Sequence, residues 1–152
     1  MSASAAEEEK IEGPHWTVSF ALGSEGAETE KVEVPKEIES ARGALEKLAE
    51  QSKFRRFTLV KTKLLPKDAP EPVQVAFDRE LAFTFQLETK KGRDFLQAAW
   101  LRREAGPEGK FKQLGGKVQR PFQPSKSLVL MGPRVKEGVA LAVLRLDLKT
   151  EN

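Results

Sequence analysis

One histidine, no cysteine and no tyrosine restrict the chemistry that this 152-residue chain could carry. Nucleophilic hydrolysis near neutrality needs a base that holds and releases a proton there, and imidazole is the usual one. The sole imidazole, His15, sits beside Trp16 close to an acidic stretch, with no serine in a Gly-x-Ser-x-Gly turn near it. Without cysteine there is no thiolate nucleophile, disulfide framework or Cys-ligated metal. Gly106-Pro107-Glu108-Gly109-Lys110 and Leu114-Gly115-Gly116-Lys117 are rich in glycine and end in lysine. Neither has the Gly-x-x-x-x-Gly-Lys-Ser/Thr spacing of a phosphate cradle, and neither stands between a strand and a helix. Both read as hairpin turns, the Gly-Gly step supplying positive φ angles or a bulge. Most carboxylates fall in the N-terminal stretch or on a helix exterior; Asp78, Asp94 and Asp147 fall near strand ends, where Asp caps local structure. The expectation is a protein that is not an enzyme and holds no cofactor and no metal.

Cations are the feature with a partner in view. Phe54-Arg55-Arg56-Phe57 continues through Lys61 and Lys63; Lys90, Lys91 and Arg93 share one turn; Arg102 and Arg103 end the next strand; Lys110, Lys112 and Lys117 follow. Basic side chains interleaved with rings suit single-stranded nucleic acid, since cations meet phosphates and rings stack on bases. Here Phe83 and Phe85 share a face with Leu81 and Leu87, and Trp100 with Leu96 and Ala98, so the rings belong to a core. The candidate binding residues are therefore Arg55, Arg56, Lys61, Lys63, Lys90, Lys91, Arg93, Arg102 and Arg103, presented to another protein or to a second copy of the chain; a nucleic acid is the alternative partner. Charge is also polarised. Residues 1–50 hold five Lys/Arg against twelve Asp/Glu and residues 51–152 hold 21 against 11, which is −7 and +10. Such a field steers a charged partner.

The elements that must position these residues are mostly strands. Residues 1–13, with Glu7, Glu8 and Glu9 and no apolar period, read as a disordered acidic tail, leaving 14–152 as one β-rich domain. His15 to Leu22 alternates as a strand, and Lys31 to Val34 reads as a short one before Pro35. Ile38, Ala41, Leu45, Leu48 and Ala49 then form the stripe of one helix over about 36–52. After Phe54 the period becomes two, with strands expected over Arg56–Leu64, Val73–Phe77, Leu81–Glu88, Phe95–Arg103, Phe111–Leu114, Val118–Phe122, Ser127–Met131 and Val139–Leu148. In the last, Ala142, Leu144, Leu146 and Leu148 are expected inside and Val143, Arg145 and Asp147 outside. Short connections argue antiparallel pairing, because parallel strands need a longer crossover. The fold class is therefore α+β, mainly antiparallel β, a sheet or sandwich of about seven to nine strands with one helix. An open sheet edge can accept a strand from a partner, and Val139–Leu148 is the candidate edge. No apolar run approaches the ~20 residues of a membrane-spanning helix.

Trp16-Thr17-Val18-Ser19-Phe20-Ala21, the helical Ala44-Leu45-Glu46-Lys47-Leu48, Phe54-Arg55-Arg56-Phe57-Thr58-Leu59-Val60, and Leu130-Met131-Gly132-Pro133 before Val139-Ala140-Leu141-Ala142-Val143-Leu144 together resemble a group of small uncharacterised bacterial proteins predicted to be exported. In these a helix leads into a Phe-x-x-Phe-x-Leu strand and a Gly-Pro turn precedes the last apolar strand. The resemblance implies an envelope or secretion-associated scaffold, periplasmic or exported once a leader is removed, and brings no site residues with it.

Overall fold

The computed structural model describes residues 13–26, 31–104, 109–124, 126–136 and 138–148. The acidic tail and the Gly106-Pro107-Glu108 turn expected from the sequence lie outside the described residues. The chain divides into two compact units, residues 1–68 with 124–152 and residues 69–123. Eight strands form two four-stranded antiparallel sheets: β1 (His15–Glu25), β2 (Phe54–Pro66), β3 (Val73–Ala76), β4 (Leu81–Lys90), β5 (Arg93–Arg103), β6 (Phe111–Pro121), β7 (Leu128–Val135) and β8 (Gly138–Asp147). The α+β class with one helical segment is as the alternations and the single stripe predict.

In the first unit the strand order is β2-β1-β8-β7. Helical structure begins after Pro35 as a 3-10 turn, Lys36–Ala41, and continues as helix α1, Arg42–Ser52, with a kink at Ile38. The stripe Ile38, Ala41, Leu45 and Ala49 is buried against Ala21, Phe57, Leu141 and Val143, because one apolar stripe and one apolar sheet face remove each other from water. Lys53, in the left-handed conformation at φ 62°, ends α1 and turns the chain straight into β2, whose first residue Phe54 is buried. The opposite sheet face, with Trp16, Val18, Phe20, Ala142, Leu144 and Leu146, is buried too.

Three expectations fail here, each for a tertiary reason. Val143 is buried, because α1 covers the sheet face that strand alternation assigns to solvent, while Leu148 is exposed beyond the end of β8. The candidate edge strand 139–148 is interior, hydrogen-bonded to β1 on one side and β7 on the other. Residues 31–34 make no strand; Glu33 forms a single parallel bridge to Arg56.

The second unit is a meander in the order β3-β4-β5-β6. Its apolar face gathers Val73, Val75, Leu81, Phe83, Phe85, Leu96, Ala98 and Trp100, all buried. The Trp100 ring meets Phe83 at 4.9 Å and Phe77 at 6.2 Å between centroids, both edge-on, the arrangement ring quadrupoles favour. Asp78 Oδ1 accepts from the Glu80 and Leu81 amides and closes the β3–β4 turn, as its position near a strand end predicts. Residues 111–121 are one strand rather than two. Gly115-Gly116 is a bulge within it and not a hairpin turn, with φ 63° at Gly115 and a register shift opposite Ala99. Likewise β7 runs through Gly132-Pro133 to Val135.

Candidate functional site

The predicted cations are divided between the two units, and those of the second unit fall at opposite ends of β5. Four lie on β2 in the first unit, and the partners of Arg55 and Arg56 are structural. Arg55 donates from Nη1 to the carbonyls of Ala49 (3.3 Å) and Phe54 (2.8 Å), completing the C-terminal end of α1. Arg56 lies 4.0 Å from the Glu33 carboxylate. Lys61 and Lys63 are exposed on the second half of β2. In the second unit Lys90, Lys91 and Arg93 surround the β4–β5 turn, Lys91 at φ 52°, with Lys90 3.6 Å from Glu88. Arg102 and Arg103 stand at the other end of β5, nine and ten residues beyond Arg93 and so roughly 30 Å away at ~3.3 Å per residue. Arg103 is an organising residue: Nε donates to the Arg79 carbonyl, Nη1 to that of Gly109, both at 2.8 Å, and its guanidinium lies 4.7 Å from the Phe111 ring centroid. Of the eleven aromatic rings only those of Phe95 and Phe111 keep appreciable surface, both half-buried. Stacking of bases would therefore fall to these two rings.

His15 donates from Nδ1 to the Gly13 carbonyl (3.0 Å) and places Nε2 3.5 Å from Asp147, which also pairs with Arg145. Ser40 joins the same neighbourhood, 3.4 Å from Arg145 and 2.8 Å from Ser127, but neither hydroxyl has a hydrogen bond to the imidazole. Among the described residues no group of three or more His, Asp or Glu is placed to hold a metal ion, and no helix is long and apolar enough to cross a membrane.

Two features of the second unit fall outside the predicted residues. The first is β6 as an edge strand. It bonds β5 on one side, is exposed over most of its length, and carries Lys112, Lys117 and Arg120 with no acid between Gly109 and Pro121. The second is a cleft of about 210 Å³ over β4, β5 and β6, lined mainly by residues of the face opposite Phe83 and Trp100, with Phe85 and Ala98 of the other alternation also reaching it. Pro72 flanks it on one side and Gln113 and Lys117 of β6 on the other, with Thr84, Gln86 and Gln97 between them and Ala98 and Ala99 at the floor. The floor is open because Ala99 lies in the bulge, where β6 swings aside and a small residue leaves space.

The glutamines are held by their own nitrogens. Gln97 Nε2 donates to Glu88 Oε1 (2.9 Å) and Gln119 Oε1 (3.3 Å), Gln86 Nε2 to Glu88 Oε2 (3.4 Å), and Gln113 Nε2 to the Gly115 carbonyl (3.0 Å). Each amide oxygen remains an acceptor. The spacing of Gln86, Gln97, Gln113 and Gln119 is visible in the sequence, yet only the register of β4, β5 and β6 shows that they converge. Family models, curated proteins and solved structures yield no match to this chain.

Proposed function

We propose that the chain is a protein-interaction domain, without catalysis of its own, that takes an extended acidic segment of a partner onto the edge of β6. The observation that carries this reading is the character of that edge: eleven residues bonded on one side, with three cations and no acid. Strand addition supplies main-chain hydrogen bonds from an unpaired edge, and side chains on the strand select the sequence that adds. Of the other edges, β3 is four residues long and β7 contains Pro133, which has no N–H to donate; β2 also carries cations and no acid, but its Arg56 end is already bridged by Glu33. Charge complementarity fixes the partner's sign, and the Gly115-Gly116 bulge divides the edge into two short segments, so the partner strand is short as well.

Amide hydrogen exchange on the full chain, with and without a synthetic peptide of alternating glutamate and valine, tests the reading. Slowed exchange confined to β6, lost when Lys112 and Arg120 are both replaced by glutamine, supports it. Unchanged exchange at β6 refutes it. A parallel titration with single- and double-stranded oligonucleotides addresses the other partner class. Tight binding that weakens steeply with salt, and that requires Lys61, Lys63 or the Lys90–Arg93 turn rather than β6, would replace the proposal with nucleic-acid binding.

A further inference from the structure

We infer that the amide-rimmed cleft of the second unit binds a small carboxylate carrying a hydrogen-bond donor on its α-carbon, the chemistry shared by α-hydroxy and α-amino acids. Size sets the first limit. A volume of about 210 Å³ is smaller than the ~300–1,000 Å³ of sites for drug-sized ligands and cofactors, which favours a small ligand. Charge sets the second. Lys117 is the one charged residue lining the cleft, and among the described residues its ammonium makes no ion pair or hydrogen bond, so it is available to an anion. Hydrogen-bond polarity sets the third. Gln86, Gln97 and Gln113 commit amide nitrogens to protein acceptors, so what they offer a ligand is mainly carbonyl oxygen, and the ligand must bring its own donor. Pro72, Ala98 and Ala99 then leave room for a short apolar body.

The glutamines also meet a requirement that a merely solvated sheet face does not. Glu88 accepts from both Gln86 and Gln97, and Gln97 donates onward to Gln119, so the acceptor array is fixed before any ligand arrives. A preorganised array loses less entropy on binding than mobile side chains do. The cleft shares Gln113 and Lys117 with β6, yet strand addition engages the main chain of that edge and the ligand the side chains over the sheet face, so the two are read out separately.

The test uses the uniformly 15N-labelled full chain titrated with L-lactate, lactamide, propionate and L-alanine. Lactate is expected to shift the side-chain amides of Gln86, Gln97 and Gln113 and the backbone amides of Thr84 and Ala99 in a saturable manner. Lactamide, which lacks the anion, and propionate, which lacks the donor, should each bind at least about tenfold more weakly. Comparison of alanine with lactate distinguishes an ammonium donor from a hydroxyl. Lys117→Gln should weaken lactate by about tenfold or more while Lys47→Gln, on the exposed side of α1, leaves it unchanged; Thr84→Val provides a second, nearly isosteric probe of the wall. Equal binding of lactate and lactamide, full affinity in Lys117→Gln, or no shift of the glutamine amides at saturating lactate would each overturn the assignment.

Discussion

Adding one methyl group at each of two glycines should move stability in opposite directions. At Gly138, the first residue of β8, a Cβ would lie 2.5 Å from the Gly23 carbonyl oxygen. Gly23 belongs to β1 and is held by ladders on both sides, opposite Phe57 and Val139, so the oxygen cannot swing away as a side-chain tip could. Relief demands a displacement of about half an ångström between paired strands, and the backbone at φ 156° is one that side chains rarely adopt. Overpacking typically costs about 1–3 kcal/mol and a strained backbone a similar amount, so Gly138→Ala should lose roughly 2–4 kcal/mol. At roughly 2–4 °C per kcal/mol for a chain of this size, Tm should fall by about 4–16 °C. Gly43, in the first turn of α1, is the control: a Cβ there meets nothing within 4 Å. Gly43→Ala should gain up to about 1 kcal/mol from helix propensity and the stiffer unfolded chain. Thermal unfolding of the parent and both variants, followed by far-UV circular dichroism, decides the matter. A Gly138→Ala protein melting within about 2 °C of the parent would refute the close-approach argument.

Further outcomes follow from single contacts. Leu45 has no exposed surface and joins α1 to the sheet, so Leu45→Ala should cost about 2–5 kcal/mol, seen as a lower denaturant midpoint at unchanged slope. The buried Ser19 hydroxyl meets the Thr62 hydroxyl at 3.0 Å. Thr62→Val, which leaves it unpaired, should cost about 1–3 kcal/mol, more than Ser19→Ala, whose Thr62 partner is exposed and turns to water; urea titration of the two variants and the double replacement checks the order. On the surface, the hydrogen bond from Arg42 holds the Glu39 carboxyl below the ordinary carboxylate range. Its contribution to stability is thus present above the unfolded-state pKa and lost as pH falls through the lower folded-state value. Arg42→Gln should return the Glu39 titration, followed by carboxyl-carbon NMR, to the ordinary range.

The sequence by itself determines most of the strands, the single helix and the interior placement of Phe83, Phe85 and Trp100. Period two from Leu81 to Leu87 and the 3-4 spacing from Ile38 to Ala49 are local signals, and the burial of Phe83, Phe85, Trp100 and Leu45 follows from them. Strand order is not local. That 139–148 is an interior strand depends on His15–Gly23 pairing with it from more than a hundred residues away, and that Val143 is buried depends on α1 crossing the face which alternation alone leaves in water. The cations behave likewise: the sequence shows Arg55 and Arg103 as charges, and the fold turns both into donors for backbone carbonyls. Gln86, Gln97, Gln113 and Lys117 have no shared spacing that marks a site. Antiparallel register sets Gln86 beside Gln97, ~5 Å apart, and the bulge in β6 brings Lys117 and Gln113 to the same cleft, a property of pairing that no single strand contains.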